Sequence, residues 1–464
     1  MERRNRVLGR IARAIVTDPA DRPATEAIMT IDQARAVRIL DLAMRIGEWM
    51  LSVGASANDV TLATTRVALA YGMRHVHVNV TYNAITVSHH RGDDDTPPVT
   101  LARVVRAPAP DHAKLQRLQA LVAEVQSGLD LEQATARFHA IRRIPFTYRP
   151  AVVVVAQGSL AVGMCILFGA SWVIAATAFV ASVLAAMAQR GLARLHVPYF
   201  FSQIAGAFVV TMAAAATVWL AQQGVPMLQD VRPGIIVAAG IVLMLAGMSV
   251  VGAAQDAIDG FMLTAGGRML ELMLLTLGVV IGITAGVALA RAMGIGFDVS
   301  SEAPALGSAP LQLAGSAFVA IAVAVWNGAG LATALWSAVL GAIAWSGWFL
   351  GGQLGLETVV ASGMGALLAS LIGIMVAHRA HVPSIAVTTA AIVPLVPGGM
   401  VFRGLLEMVE SDGSPAGLLT GAAGLAGAAA VGIALASGAS LGLFLGAPLR
   451  DRVALALRGR GRLR

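Results

Sequence analysis

The 464-residue chain is poor in charge and all but lacks cysteine. Charged side chains supply 13% of it, against roughly a quarter in a soluble protein of ordinary composition, so a water-soluble globule throughout is excluded. The single cysteine, Cys165, lies in an apolar run, which rules out a disulfide framework and gives no sign of an oxidising compartment. No glycine-rich phosphate loop followed by lysine occurs, so direct nucleotide-driven pumping has no support. The N-terminus is basic, but its apolar stretches are too short and too often broken by arginine for a signal-peptide core. The first domain is therefore expected to stay in the cytoplasm. A net charge of +7 and a pI near 10.6 invite a nucleic-acid reading. The excess is arginine scattered over loop ends and tails rather than gathered on one face, and nucleic acid is excluded as a partner.

The chain is instead rich in hydrophobicity: 57% apolar residues and a mean hydropathy of +0.75. More than half of all charged side chains fall in residues 1–149, and from Pro150 to Gln189 there is none. A membrane helix needs about 20 apolar residues, so that stretch holds two spans. The expected fold is a polytopic α-helical membrane protein of about ten transmembrane helices in two halves, with an α+β cytoplasmic N-terminal domain. The expected divisions are a basic tail over 1–30, the α+β domain over 31–149, a first membrane half over 150–305, a second over 306–449 and a basic tail over 450–464.

Within the N-terminal domain, apolar residues recur at threes and fours from Ile31 to Met50, ahead of Gly54. A second helix is expected over 57–70. At Arg74–Val80 the period changes to two, Thr81-Tyr82-Asn83 makes a turn and 84–88 runs back, a hairpin signal. A third strand is expected at 99–105 and helices near 113–125 and 131–141. The spans are placed at 151–168, 171–189, 199–222, 233–254, 269–291, 310–327, 331–350, 357–377, 384–403 and 416–446. Arg142, Arg143, Arg149, Arg190, Arg194, Arg379 and the C-terminal arginines then fall on one side, and Asp298, Glu302, Glu407, Glu410 and Asp412 on the other. By the positive-inside rule both termini are cytoplasmic. His196-Val197-Pro198 and His381-Val382-Pro383 each precede a span of the same direction, a thin sign of parallel duplication.

Two constellations carry candidate chemistry. Gln255-Asp256-Ala257-Ile258-Asp259-Gly260 closes the fourth span, and Arg268 and Glu271 open the fifth. Asp256 and Asp259 are three apart, as are Arg268 and Glu271, so each pair shares a helix face. They read either as loop charges, with Arg268 a positive-inside anchor, or as proton acceptors and ligands for a substrate ammonium. The second is Ile392-Val393-Pro394-Leu395-Val396-Pro397-Gly398-Gly399-Met400, inside the ninth span. Pro394 and Pro397 remove two backbone donors, and Gly398 and Gly399 weaken the helix further. Such a break is tolerated at membrane depth only where protein or a watery cavity covers it, and transporters aim the freed groups at substrate. Arg403, four residues after Gly399, stands ready for a carboxylate or snorkels to the surface. His75, His77, His89 and His90 near Asp93, Asp94 and Asp95 form the only metal-like cluster, and a solvated hairpin edge is the stronger reading. No metal or cofactor is expected.

At these residues the chain resembles the threonine/serine exporters of the inner membrane. The resemblance runs through Gly47-Glu48 and Gly54-Ala55-Ser56, the Gln255-Asp256…Asp259-Gly260 segment with Arg268 and Glu271, Ala344-Trp345-Ser346-Gly347-Trp348-Phe349, and Pro394-Leu395-Val396-Pro397-Gly398. It implies a non-enzymatic secondary transporter in the bacterial inner membrane, with threonine, serine and protons as its small-molecule partners. Relatives of a split form have been linked to dicarboxylates, so a dicarboxylate exporter is the first alternative. A membrane-tethered enzyme or sensor acting through Glu48, Asp59 or the histidines is the second. Self-association into a homo-oligomer is left open.

Overall fold

The computed structural model describes residues 33–90, 98–105, 110–229, 231–241, 244, 247–296, 305–380, 388, 390–411 and 414–461. The N-terminal basic tail, Asp93–Asp95, Asp298, Glu302, His381-Val382-Pro383 and Asp412 therefore lie outside the described residues.

The N-terminal elements are α1 (Gln33–Ser52), α2 (Ala57–Ala70), β1 (Val76–Thr81), β2 (Ala84–His89), β3 (Val99–Val104), α3 (His112–Gln126) and α4 (Leu131–Arg143). The strands form one antiparallel sheet in the order β1-β2-β3, with Val78 opposite Val87 and Val87 opposite Leu101. Alternation puts Val80, Ile85 and Val87 on the inner face. They join Ile39, Leu40, Val60, Leu118 and Phe138 from the helices in a single apolar core. Ser56 caps α2, its hydroxyl oxygen accepting from the Asp59 N–H, so the start of that helix is fixed by its own sequence. Glu48 and Asp41 are held by Arg103, at 3.3 and 3.2 Å.

Among the described residues, eight helices are long and apolar enough to cross a membrane. In one set are α5 (Pro150–Leu167), α6 (Trp172–Arg194), α7 (Tyr199–Gln222) and, after α8 (Pro233–Ile241) and α9 (Gly247–Ile258), α10 (Met262–Ala292). In the other are α11 (Ala309–Trp326), α12 (Leu331–Gln353), α13 (Thr358–Ala380) and, after α14 (Gly398–Glu410), α15 (Pro415–Gly461). The expected span over 233–254 is covered by α8 and α9, and Met244 between them, the one described residue of 242–246, lies in a turn. Hydropathy stays high across that gap and there is no proline in it, so apolar length alone carries no signal for the interruption. In the ninth segment the prolines do mark it. Val393–Leu395 is a single 3-10 turn, Val396 is extended and α14 begins at Gly398.

Small residues bring the long helices together. On α10, a side chain at Gly282 would collide with the Ile204 carbonyl of α7, and one at Gly286 with Thr211. In hydrocarbon, where no hydrophobic force drives helices together, such close backbone contact supplies much of the association. The N-terminal elements seat on one end of this bundle. The His112 N–H donates to the Asn327 carbonyl at 2.8 Å, and the Tyr148 hydroxyl to that of Ala329 at 2.7 Å. Both acceptors lie in the turn between α11 and α12.

Candidate functional site

The first constellation gathers at the turn from α9 into α10, under the start of α2. Asp256, near the end of α9, is fully buried. One of its carboxylate oxygens, Oδ1, accepts from the Ala57 N–H at 3.3 Å, across 199 residues of sequence. The other, Oδ2, lies 2.9 Å from Arg268 Nη1 on α10. That pair is close but poorly aimed, and Oδ2 is left with no directional hydrogen bond. Gly252, one turn back on α9, makes room for the guanidinium: a Cβ there would stand 3.0 Å from Nη1. Ala57 is the first residue of α2, so the carboxylate also faces the positive end of that helix's dipole.

Two more carboxylates flank Asp256. Asp259 accepts a hydrogen bond from the Asn58 side chain, and burial pushes its pKa up. Asp59 accepts from the Ser56 hydroxyl at 2.6 Å. Burial raises its pKa too, and the charge of Asp259 adds to the rise. Both acids are thus shifted toward their neutral forms beside the buried Asp256. Next to it, the β1–β2 turn inserts into α10. The Tyr82 N–H donates to Thr264 Oγ1 at 3.1 Å, and the Thr264 hydroxyl donates to the Val80 carbonyl at 3.2 Å. The Tyr82 ring lies over Gly267, where a Cβ would stand 2.9 Å from it, and its hydroxyl bonds Glu271. Phe261, in the turn itself, packs against the core of the N-terminal elements.

The second constellation is positioned by the 3-10 turn and α14. Leu395, Val396 and Met400 pack against an apolar cluster that also includes Val251 and Ala254 of α9, so the break at Pro394 and Pro397 borders the same apolar core as the helix that carries Asp256. Gly398 is buried at the start of α14. Arg403 lies along α14 over Gly399, where a Cβ would be 3.1 Å from its Nη1, and among the described residues it has no ion-pair partner. The structure thus brings Asp256, Asp259, Arg268 and Glu271 into one cluster, and connects it to the Pro394–Gly399 break through apolar contacts of α9 rather than through a shared polar pocket. Sequence reasoning missed the Ala57 N–H, Tyr82, Thr264 and Gly267. The Ser56-x-x-Asp59 capping signal marks where α2 starts, but no local pattern says what the helix end points at. Among the described residues no group of three His, Cys, Asp or Glu side chains could hold a metal.

A family model described as "Putative threonine/serine exporter" matches residues 41–290, and a second, described as "Threonine/Serine exporter, ThrE", matches residues 312–441. The chain belongs to the threonine/serine exporter family. It is 33% identical over 431 residues to a Mycobacterium tuberculosis protein named "Probable threonine/serine exporter", covering 90% of this chain and 78% of that one. With the threonine/serine exporter of Corynebacterium glutamicum it shares 28% identity over 452 residues, 95% of this chain and 89% of the relative. No solved structure matches it. Membership in an exporter family, with eight apolar helices of spanning length among the described residues, makes it a multi-pass membrane transport protein. The cluster around Asp256 lies within the first family match and the break around Pro397 within the second, so both constellations fall in the regions the family models cover.

Proposed function

We propose that this protein exports threonine and serine across the bacterial cytoplasmic membrane, driven by the proton gradient, through ten crossings with both termini in the cytoplasm. The eight long helices and two interrupted segments supply the crossings. Counted in order, they put the α9–α10 turn and the α11–α12 turn on one side, and both touch the N-terminal elements. The 31–149 region is then a cytoplasmic α+β domain seated over the inner mouth.

Asp256 carries this reading. A fully buried carboxylate is costly unless paired, and this one is shared between a transmembrane helix and the cytoplasmic domain, with one oxygen short of a directional donor. A substrate ammonium supplies the donor that Oδ2 lacks and competes with Arg268 for it. The substrate carboxylate then meets the displaced Arg268 and, further along the path, the N–H groups at Gly398 and Gly399 after the prolines, or Arg403. A proton on Asp256 weakens its hold on Arg268, and Asp59 and Asp259 stand beside it to relay protons. One charge moving through 100 mV releases about 2.3 kcal/mol, enough to bias such an exchange. A dicarboxylate is disfavoured because it needs two cationic anchors together, and the two candidates, Arg268 and Arg403, belong to separate constellations that share no polar pocket.

The test is export from cells preloaded with threonine- or serine-containing dipeptides, with and without the protein, before and after an uncoupler. Faster export that the uncoupler abolishes is the expected result. No acceleration in cells where the protein is inserted would overturn the substrate, and uncoupler-insensitive acceleration would overturn the proton drive.

A further inference from the structure

The two helix sets pack in the same order. In the first, α5 packs on α6, α6 on α7, α7 on α10 and α9 on α10; in the second, α11 packs on α12, α12 on α13, α13 on α15 and α14 on α15. The interrupted fourth segment occupies a related place in each: α8 touches α5, α6 and α7, and the 3-10 turn touches α11 and α12, the counterparts of the first two. Contacts between the sets are α5 with α11, α9 with α15 and α10 with α14. Exchanging the sets maps the first contact onto itself and swaps the other two, the signature of a two-fold relation. Its sense is inverted. Gly315 of α11 sits against Gly163 and Leu167 of α5, while Gly307, before α11, sits against Gly169, after α5, so these two equivalent helices run antiparallel. The sequence keeps a trace: Gly247-Met248-x-x-x-Gly252 begins α9, and Gly399-Met400-x-x-x-Gly404 lies at the start of α14. The His-Val-Pro tripeptides belong to no such relation, since one precedes the third member of its set and the other the fourth, and the duplication is not the parallel one they hinted at.

This register pairs Asp256 with Met408, and matching the starts of α10 and α15 pairs Arg268 with Gly421. Those two residues touch one another in the second set as Asp256 and Arg268 do in the first. A Cβ at Gly421 would strike Met408 and stand 2.5 Å from the Gly404 carbonyl. Gly404, the counterpart of Gly252, faces Gly421 and Leu425 of α15, as Gly252 faces Arg268 of α10. The same helix-hairpin contact is thus made twice, once with a buried ion pair and once with a methionine packed on glycine. They lie at opposite ends of the bundle. The ion pair is at the end where the N-terminal elements sit; Met408 is at the α14–α15 turn, and an inverted relation places that turn at the other end.

We propose that these two contacts are the inner and outer gates of one transport path: Asp256–Arg268, latched by the N-terminal domain, and Met408–Gly421–Gly404, sealed by close apolar packing. Both are closed here. Export by alternating access, on which this rests, requires that opening one favours closure of the other. An apolar outer seal has no charge to trap a leaving zwitterion, whereas the inner gate presents it with a carboxylate and a guanidinium.

The experiment replaces Cys165 with alanine, installs Leu425→Cys as a reporter beside Gly404, and measures labelling by a membrane-impermeant maleimide from the face opposite the N-terminal domain. Gly421→Ala wedges the outer contact open and Met408→Ala removes its plug, so each should raise the labelling rate several-fold. Arg268→Ala opens the inner gate and should lower it. Met408→Ala adds no atoms, so it remains informative if Gly421→Ala does not insert. Equal labelling in all backgrounds, or a rise with Arg268→Ala as with the others, overturns the proposal. Labelling needs no substrate, so a wrong choice of amino acid would leave this result intact and fail only the export assay.

Discussion

Removing either partner of the Asp256–Arg268 pair should have unequal consequences, and the inequality follows from burial. Arg268→Ala leaves a fully buried carboxylate with only the 3.3 Å Ala57 N–H for support. Stranding one charge of a buried pair costs about 3–5 kcal/mol, less whatever Asp256 recovers by taking a proton. Asp256→Asn strands a guanidinium whose side chain is still 22% exposed and can turn to water, while the asparagine oxygen still accepts from Ala57. That change should cost about 1.5–3 kcal/mol, the scale of one charged hydrogen bond. The double variant should be more stable than Arg268→Ala alone, because asparagine removes the stranded charge. Thermal unfolding of the purified protein in detergent, for wild type, both single variants and the double, completes the cycle. Equal losses in the single variants, summing in the double, would refute the claim that these groups form a buried pair.

Three further outcomes rest on the same geometry. His112 is buried with its pKa lowered to about 4 by desolvation, so the folded protein holds it neutral. Its contribution to stability is complete above pH 6.5 and is lost as pH falls toward 4. By linkage that amounts to about 3 kcal/mol, and a flatter melting profile over that range in His112→Gln checks it. Gly267→Ala places a methyl against the Tyr82 ring and should cost about 1–3 kcal/mol by overpacking. It should speed proteolytic release of the N-terminal elements while leaving the membrane helices folded. Pro394→Ala with Pro397→Ala restores two backbone donors and relieves the clash that ends the helix. Efflux should fall sharply at unchanged or higher thermal stability, measured on the same preparation.

The features legible in the sequence are those where the physics is local. The alternation at 74–80 marks β1, the recurrence at threes and fours ahead of Gly54 marks α1, and the two prolines mark the break before α14, because each is decided by residues a few positions apart. The interruption between α8 and α9 was not legible, since its flanks are uniformly apolar. Nor was the partner of Asp256: the bond to Ala57 spans 199 residues, and no periodicity reports a contact between a soluble helix end and a membrane helix. The spacing of Asp256, Asp259, Arg268 and Glu271 showed that they share faces, but it took the fold to turn them toward α2 and Tyr82. The inverted relation was hidden for the opposite reason. Its trace is a Gly-Met-x-x-x-Gly pattern too common in apolar helices to notice until the packing supplies the register.

The most direct test of the account is threonine efflux from vesicles of defined internal and external pH, comparing wild type with Asp256→Asn at matched insertion. If Asp256 carries the coupling proton, wild-type efflux rises with an inwardly directed proton gradient, while the asparagine variant, which keeps the Ala57 contact, equilibrates threonine at a rate indifferent to that gradient. An Asp256→Asn protein that still accelerates with the gradient as wild type does would contradict the assignment of Asp256 as the coupling site.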